Sequence, residues 1–156
     1  MIIEIISVIL VLILIWVLGF LFMPNHVFMT KIQTSSLIKK IARQIKGKNK
    51  EETLKNAYFY VINHFSNEKY LLVLNFWKIS YMNVDKLLRK KQFVHCTVQN
   101  NVLINILVNT GLFKESDFKR KWTITNFGAI HQYVVADIKG KKIKIDTFIR
   151  IFKEIN

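Results

Sequence analysis

An uncharged apolar run near the N-terminus, residues 5–23, constrains this chain more than any other feature. It reads IISVILVLILIWVLGFLFM, with Ser7 as its one polar side chain. About 20 apolar residues in a helix match the ~30 Å hydrocarbon core of a bilayer. No basic region precedes the run and no small-residue cleavage site follows it. We therefore expect residues 2–23 to form a retained single-pass transmembrane helix rather than a cleaved signal peptide.

All of the basic residues and all but one of the acidic residues follow this run. Lys31 is the first of 24 basic residues, and nine of the ten acidic residues also follow it, which gives that part a formal net charge of +15. Seven of the basic residues lie within residues 31–50. The positive-inside rule then places the domain in the cytoplasm. The charge favours anionic partners, lipid headgroups above all and nucleic acid second, but a Lys-rich proteome would produce the same balance.

Residues 24–49 are interpreted as a juxtamembrane segment, and residues 50–156 as one folded domain. Within the first segment, residues 34–46 (TSSLIKKIARQIK) repeat apolar residues with a helical period and are basic on the opposite side. Such a helix can lie on anionic lipid. The alternative is an ordinary domain helix with a solvated basic face, and the sequence does not choose between them.

The domain places helices before strands, which predicts an α+β fold with a small antiparallel sheet. Local sequence patterns predict helices over residues 51–65, 83–91 and 96–110, the last with the clearest apolar stripe. Residues 70–82 are apolar and aromatic without a clear period, and they are interpreted as a buried helix. Residues 112–121 are interpreted as a polar connection. Three β-like runs follow, with Gly140 as the turn between the last two: Lys121–Phe127, His131–Lys139 and Lys142–Phe148.

Three residues are candidates for chemistry: Cys96, His131 and Asp146. Cys96 lies at the predicted start of a helix, where the helix dipole and unpaired backbone N–H groups favour a thiolate. His131 opens one predicted strand and Asp146 closes the next, so a hairpin would bring them to the same end. A nucleophile, a base and an orienting carboxylate in this relation form a catalytic triad. Each residue alone is more often structural.

These residues also lie in segments that resemble the transglutaminase-like superfamily, which shares the papain-like Cys-His-Asp core. The helix from Cys96 to Gly111 is similar to the family's nucleophile helix. His131-Gln132-Tyr133 resembles its His strand, and the run from Gly140 to Asp146-Thr147 resembles its Asp strand. The resemblance covers roughly residues 50–150 and implies a papain-like fold.

The resemblance also implies the roles of the site residues. Cys96 would attack an acyl carbonyl to form a thioester, His131 would carry the proton, and Asp146 would hold the imidazole tautomer. The backbone N–H of Cys96, and Gln92 as a second donor, are the oxyanion candidates. Asp137 is the other candidate for the orienting acid, but six residues along one strand separate it from His131 by about 20 Å.

The sequence therefore predicts a membrane-anchored cysteine peptidase or amidase that acts on a peptide or protein amide, with hydrolysis favoured over acyl transfer. Two alternatives remain at this stage. One is an inactive binding module of the same fold. The other is a basic lipid- or nucleic-acid-binding protein, in which Trp77, Tyr81 and Trp122 could stack on bases. No Cys-x-x-Cys, His-Glu-x-x-His or Gly-rich phosphate loop occurs, so neither metal nor cofactor is expected.

Overall fold

The computed structural model describes residues 4–15, 31–65, 83–91, 94–124 and 130–155. Residues 4–15 are helical, and their large apolar side chains are exposed. The remainder of the predicted anchor and the predicted helix over 70–82 lie outside the described residues. Within the described ranges, no helix has both the length and the apolar character needed to cross a membrane.

Four α-helices and one 3-10 helix of the domain are described. Three of the α-helices begin at a capping residue, Ser35, Asn49 or Asn83, whose side-chain oxygen accepts a hydrogen bond from the backbone N–H three residues later. Such a cap stabilises a helix by about 1 kcal/mol. The helices are α1 (Ser36–Ile45), α2 (Lys50–His64), α3 (Val84–Leu88), α4 (Cys96–Asn109) and the 3-10 helix Glu115–Asp117.

Helix α1 packs its apolar side into the domain. Ile38, Ile41, Ala42 and Ile45 are buried in the main hydrophobic core, while the basic side chains of the helix are exposed. The apolar face of residues 34–46 is therefore covered by protein, and contact of this helix with anionic lipid stays a prediction that concerns its basic face. The ordinary domain-helix alternative describes it, and its basic face remains available.

The strands form one antiparallel sheet in the order β1-β2-β3-β4, so the described domain is α+β as predicted. They are β1 (Phe118–Ile124), β2 (Ile130–Ile138), β3 (Lys141–Asp146) and β4 (Ile151–Ile155). Two expectations were wrong. Residues 112–121 were expected to be a polar connection, but β1 begins within them at Phe118, whose side chain is buried. Strand β4 was not predicted, because five residues at a sheet edge give too short a pattern to recognise.

The hairpin between β2 and β3 confirms the predicted turn. Lys139 and Gly140 both have positive φ, 55° and 86°, as a two-residue type I′ turn requires. The side chain of Asp137 accepts a hydrogen bond from the Gly140 N–H at 3.0 Å. The turn fixes the register Ile138–Lys141 and, with it, the position of every later residue of the hairpin.

Helix α4 lies at the centre of the fold and packs against α1, α2, α3 and β2. Eleven consecutive residues of this helix, Thr97 to Leu107, are buried. Val102, Leu103 and Ile106 have no exposed surface. The helix is therefore covered on all sides, and its polar residues must find partners inside the protein.

The polar residues of α4 form an asparagine ladder, defined here as Asn101, Asn105 and Asn109, which lie one helical turn apart. Asn105 accepts a hydrogen bond from the Gln33 backbone N–H at 2.6 Å, and Asn109 donates to the Gln33 carbonyl at 2.9 Å. The Gln33 side chain in turn accepts from the backbone N–H of Val84 at 2.9 Å. The segment that leads into α1 is thus bound to α4 by its own backbone and to α3 by the Gln33 side chain.

Replacing Asn105 with alanine is expected to lower the free energy of unfolding by about 1–3 kcal/mol, because the Gln33 N–H would lose its partner in a partly buried position. Chemical denaturation measures the change. Gln44→Ala, at an exposed position of α1, is the matched control and should stay within about 0.5 kcal/mol of the parent protein. An equally small effect of Asn105→Ala would contradict the role of the ladder.

Candidate active site

Cys96 is the first residue of α4 and is partly exposed. The preceding residue, His95, occupies the N-cap position, but its side chain makes no capping hydrogen bond to the helix. The first backbone N–H groups of a helix have no partner within the helix, and they carry the positive end of its dipole. No acidic residue lies in the first turn to offset this field. The thiol is therefore placed where a negative charge is stabilised.

His131 lies near the start of β2 and is 4% exposed. Its Nε2 is 2.7 Å from Oδ2 of Asp146, a short hydrogen bond in which the ring nitrogen donates. The imidazole also hydrogen-bonds to the Cys96 side chain. Since Nε2 faces Asp146, the other ring nitrogen is left for the sulfur. The structure thus brings all three sequence-predicted residues together in the order Cys96, His131, Asp146.

Asp146 ends β3 and is 1% exposed. One carboxylate oxygen accepts from His131, and the other accepts from the backbone N–H of Ile149 at 3.1 Å. The second bond belongs to the turn between β3 and β4, which holds the carboxylate in one orientation. A buried carboxylate fixed by both oxygens can orient an imidazole and stabilise its protonated form.

The hairpin register explains why His131 and Asp146 meet. The last paired residues toward this end are Val134 and Ile145. Asp146 follows Ile145 directly, whereas His131 lies three residues before Val134, so the two are diagonal neighbours beyond the regular ladder. Diagonal Cα atoms in a sheet lie about 7–8 Å apart, a gap that two polar side chains can span.

The environment of His131 changes its protonation. Burial alone lowers the pKa of this imidazole, but the hydrogen bonds to Asp146 and Cys96, together with the charges of both partners, raise the pKa from 6.5 to about 9. Asp146 and Cys96 thus outweigh the desolvation. A pKa of about 9 keeps the imidazole protonated at neutral pH, and this imidazolium lies between the Asp146 carboxylate and the Cys96 sulfur.

Two residues that the sequence reasoning missed fix α4 against β2. Asn100 lies one turn after Cys96, and its Nδ2 donates to the Gln132 carbonyl at 3.0 Å and to the Gln132 side-chain oxygen at 3.2 Å. Both residues are buried. Gln132 adjoins His131, so this contact helps to set the distance between Cys96 and His131. The available signal was the run of three polar residues, Gln99, Asn100 and Asn101, one turn after the cysteine in a helix whose later residues are largely apolar.

Of the two remaining candidates, Asp137 is not part of this cluster. Asp137 is exposed and caps the β2–β3 turn, at the opposite end of the strand from His131. Gln92 lies outside the described residues. In the ranges that the structure describes, no group of three or more His, Cys, Asp or Glu side chains could hold a metal ion.

Comparison with known proteins identified no relative of this chain. No protein-family model, curated protein or solved structure matches the chain. The chemistry of the site therefore rests on its own geometry.

The titration of His131 tests this geometry directly. We expect a pKa of about 9 for its imidazole by NMR, and a lower pKa in both Asp146→Asn and Cys96→Ser, because each substitution removes a hydrogen bond and a charge that favour the imidazolium. His64, whose pKa is lowered by burial, provides an internal reference in the same spectra. A pKa near 6.5 for His131 in the parent protein would contradict the described cluster.

The same shift predicts a pH dependence of stability. Because the folded-state pKa of His131 is raised, its stabilising contribution is fully present below pH 6.5 and is lost as pH rises through about 9. The contribution is at most about 3 kcal/mol. The difference in free energy of unfolding between the parent protein and His131→Gln should shrink over this window. A difference that stays constant or grows from pH 6.5 to 9 would contradict the assignment.

Proposed function

We propose that this protein is a membrane-anchored, transglutaminase-like thiol hydrolase that cleaves amide or peptide bonds through a thioester on Cys96. The observation that carries the proposal is the His131–Asp146 hydrogen bond of 2.7 Å, with the same imidazole bonded to a partly exposed cysteine at a helix N-terminus. A structural cysteine needs neither an oriented imidazole nor a helix start. A nucleophilic one is activated by either, and both are present here.

The first half of the reaction forms the acyl-enzyme. The Cys96 thiolate attacks the carbonyl carbon, and the carbonyl electron pair moves to oxygen, where the backbone N–H of Cys96 stabilises the charge. As the tetrahedral intermediate collapses, the C–N bond breaks and the His131 imidazolium gives its proton to the leaving amine. A thioester and a neutral imidazole remain. Asp146 keeps that imidazole in the tautomer whose free nitrogen faces the sulfur.

The second half releases the acid product. The neutral His131 takes a proton from water as the hydroxide oxygen attacks the thioester carbon. Collapse of this intermediate breaks the C–S bond and returns Cys96 as a thiolate beside protonated His131. Water is the favoured acceptor because it is present at the highest concentration, whereas an amine acceptor would need a binding site of its own.

Membrane attachment is the second part of the proposal. The apolar run of residues 5–23 supports a single-pass anchor, and the exposed basic side chains of α1 support contact with anionic headgroups next to it. These side chains are Lys39, Lys40, Arg43 and Lys46. The positive-inside rule favours a cytoplasmic domain. Enzyme and substrate would then meet at the cytoplasmic surface of a membrane.

Alkylation of Cys96 tests the proposed nucleophile, and it is unambiguous because the chain has one cysteine. We expect iodoacetamide to label the parent protein rapidly even below pH 7. The His131→Ala variant should be labelled slowly, with a rate that rises only as the pH approaches ~8.5, the pKa of an ordinary thiol. His64→Gln is the matched control, since it removes another partly buried imidazole, and it should label as the parent does.

Two results would overturn the proposed nucleophile. One is slow labelling of the parent protein below pH 8, and the other is equal labelling of the parent and His131→Ala. Either result would leave an inactive binding module of this fold as the better description. In that case, salt-sensitive binding to anionic vesicles would become the property to measure.

A further inference from the structure

The exposed large apolar side chains of the folded domain are concentrated beside the site. Across residues 31–155, the described ranges contain four of them: Phe59, Trp122, Ile124 and Ile149, which are 45%, 37%, 72% and 42% exposed. Three of the four lie near His131 or Asp146. Exposed apolar groups that gather in one place mark an interaction surface more often than an accident of composition.

In the sheet register, Trp122 and Ile124 are the β1 residues immediately before and after the one that pairs with His131. Thr123, the residue between them, pairs with His131 across the β1–β2 ladder, and adjacent strands lie about 4.8 Å apart. Ile149 lies in the turn after β3 and donates its backbone N–H to Asp146. Trp122 and Ile124 thus lie at the level of His131 along β1, with their side chains on the sheet face opposite that of Thr123, and Ile149 contacts Asp146 through its backbone.

The contacts of Arg120 show where β1 lies along α4. Its guanidinium donates to Asn101, the sixth residue of that helix, and also contacts Glu115. Trp122 and Ile124 lie two and four residues further along β1, in the direction that leads to the level of His131. Since His131 contacts Cys96 at the start of α4, this end of β1 lies at the level of the nucleophile.

Strand β1 is an edge strand, since β2 is the one described strand that pairs with it. Lys119 and Lys121 are exposed on it, and no described carboxylate lies within ion-pair distance of either. Lysines alone are a common protection of an edge against unwanted pairing. Trp122 and Ile124 do the opposite, because exposed apolar residues on an edge favour an added strand. Exposed lysines together with exposed apolar residues suit a partner strand in which acidic and apolar side chains alternate.

We infer that the free edge of β1 binds the acyl donor as an extended segment in which apolar and acidic side chains alternate. In an added strand, successive side chains point to opposite faces of the sheet. Apolar residues would pack on the Trp122–Ile124 side, and acidic residues would face Lys119 and Lys121 on the other. This inference rests on the proposed function and names its substrate class.

The edge binds residues some positions away from the cleaved bond. A strand added to β1 lies about 10 Å from β2, so the chain must leave the edge near Ile124 and cross toward Cys96 before its carbonyl reaches the sulfur. Trp122 and Lys121 are therefore specificity-determining residues and not catalytic ones. Their substitution should leave the reactivity of the nucleophile unchanged.

The test uses the full chain in zwitterionic nanodiscs and two labelled decapeptides, one of alternating Val and Glu and one of alternating Val and Lys. Fluorescence anisotropy measures their dissociation constants. We expect the Val/Glu peptide to bind more tightly, and Lys121→Glu to weaken it about fivefold to tenfold while strengthening the Val/Lys peptide. Trp122→Thr, which keeps a good strand former, should weaken both peptides.

Lys153→Glu on β4 is the matched control, since it makes the same charge change on an exposed lysine at the opposite edge of the sheet. Equal effects of Lys121→Glu and Lys153→Glu would overturn the inference, because attraction by net charge alone would explain them. Absence of peptide binding with a rapidly alkylated Cys96 would overturn the inference and leave the proposed function intact. Selective binding at β1 with an unreactive Cys96 would support the docking edge and overturn the hydrolase.

Discussion

Helix Cys96–Asn109 is buried on every side, and the rest of the structure depends on how its polar residues are satisfied. An asparagine inside a core costs free energy unless each of its groups finds a partner. The ladder of Asn101, Asn105 and Asn109 meets this need with the Arg120 side chain and with the backbone of Gln33. The hydrogen bonds that avoid this free-energy cost also bind the segment before α1 to the rest of the domain.

This arrangement also positions Cys96, the proposed nucleophile. The helix is held near its C-terminal end by Gln33 and near its N-terminal end by Gln132, through Asn100. Cys96, at the tip, cannot move relative to His131 without breaking buried hydrogen bonds. Reaction between a thiolate and a carbonyl depends on geometry held to a fraction of an ångström, so a rigid support of this kind lowers the cost of reaching the transition state.

Much of this could be predicted from the sequence, for reasons that particular residues show. Capping residues and apolar periods are local signals, so the helices Ser36–Ile45, Lys50–His64 and Cys96–Asn109 and the turn at Gly140 were predicted closely, and the hairpin brought His131 and Asp146 to one end. Strand β4 and the start of β1 were missed because their identity comes from pairing and not from local pattern. The bonds of Gln33 to Asn105, and of Asn100 to Gln132, join residues 72 and 32 positions apart, which no local pattern specifies.

Turnover of an activated ester measures the central claim most directly, since it requires the triad to form a thioester and then to hydrolyse it. With p-nitrophenyl acetate, we predict a burst of one p-nitrophenolate per chain followed by steady turnover, and an acetyl group on Cys96 by mass spectrometry. Cys96→Ser should show neither phase, and Asp146→Asn should turn over at least tenfold more slowly. Acylation of Cys96 without turnover, or turnover that persists in Cys96→Ser, would contradict the account.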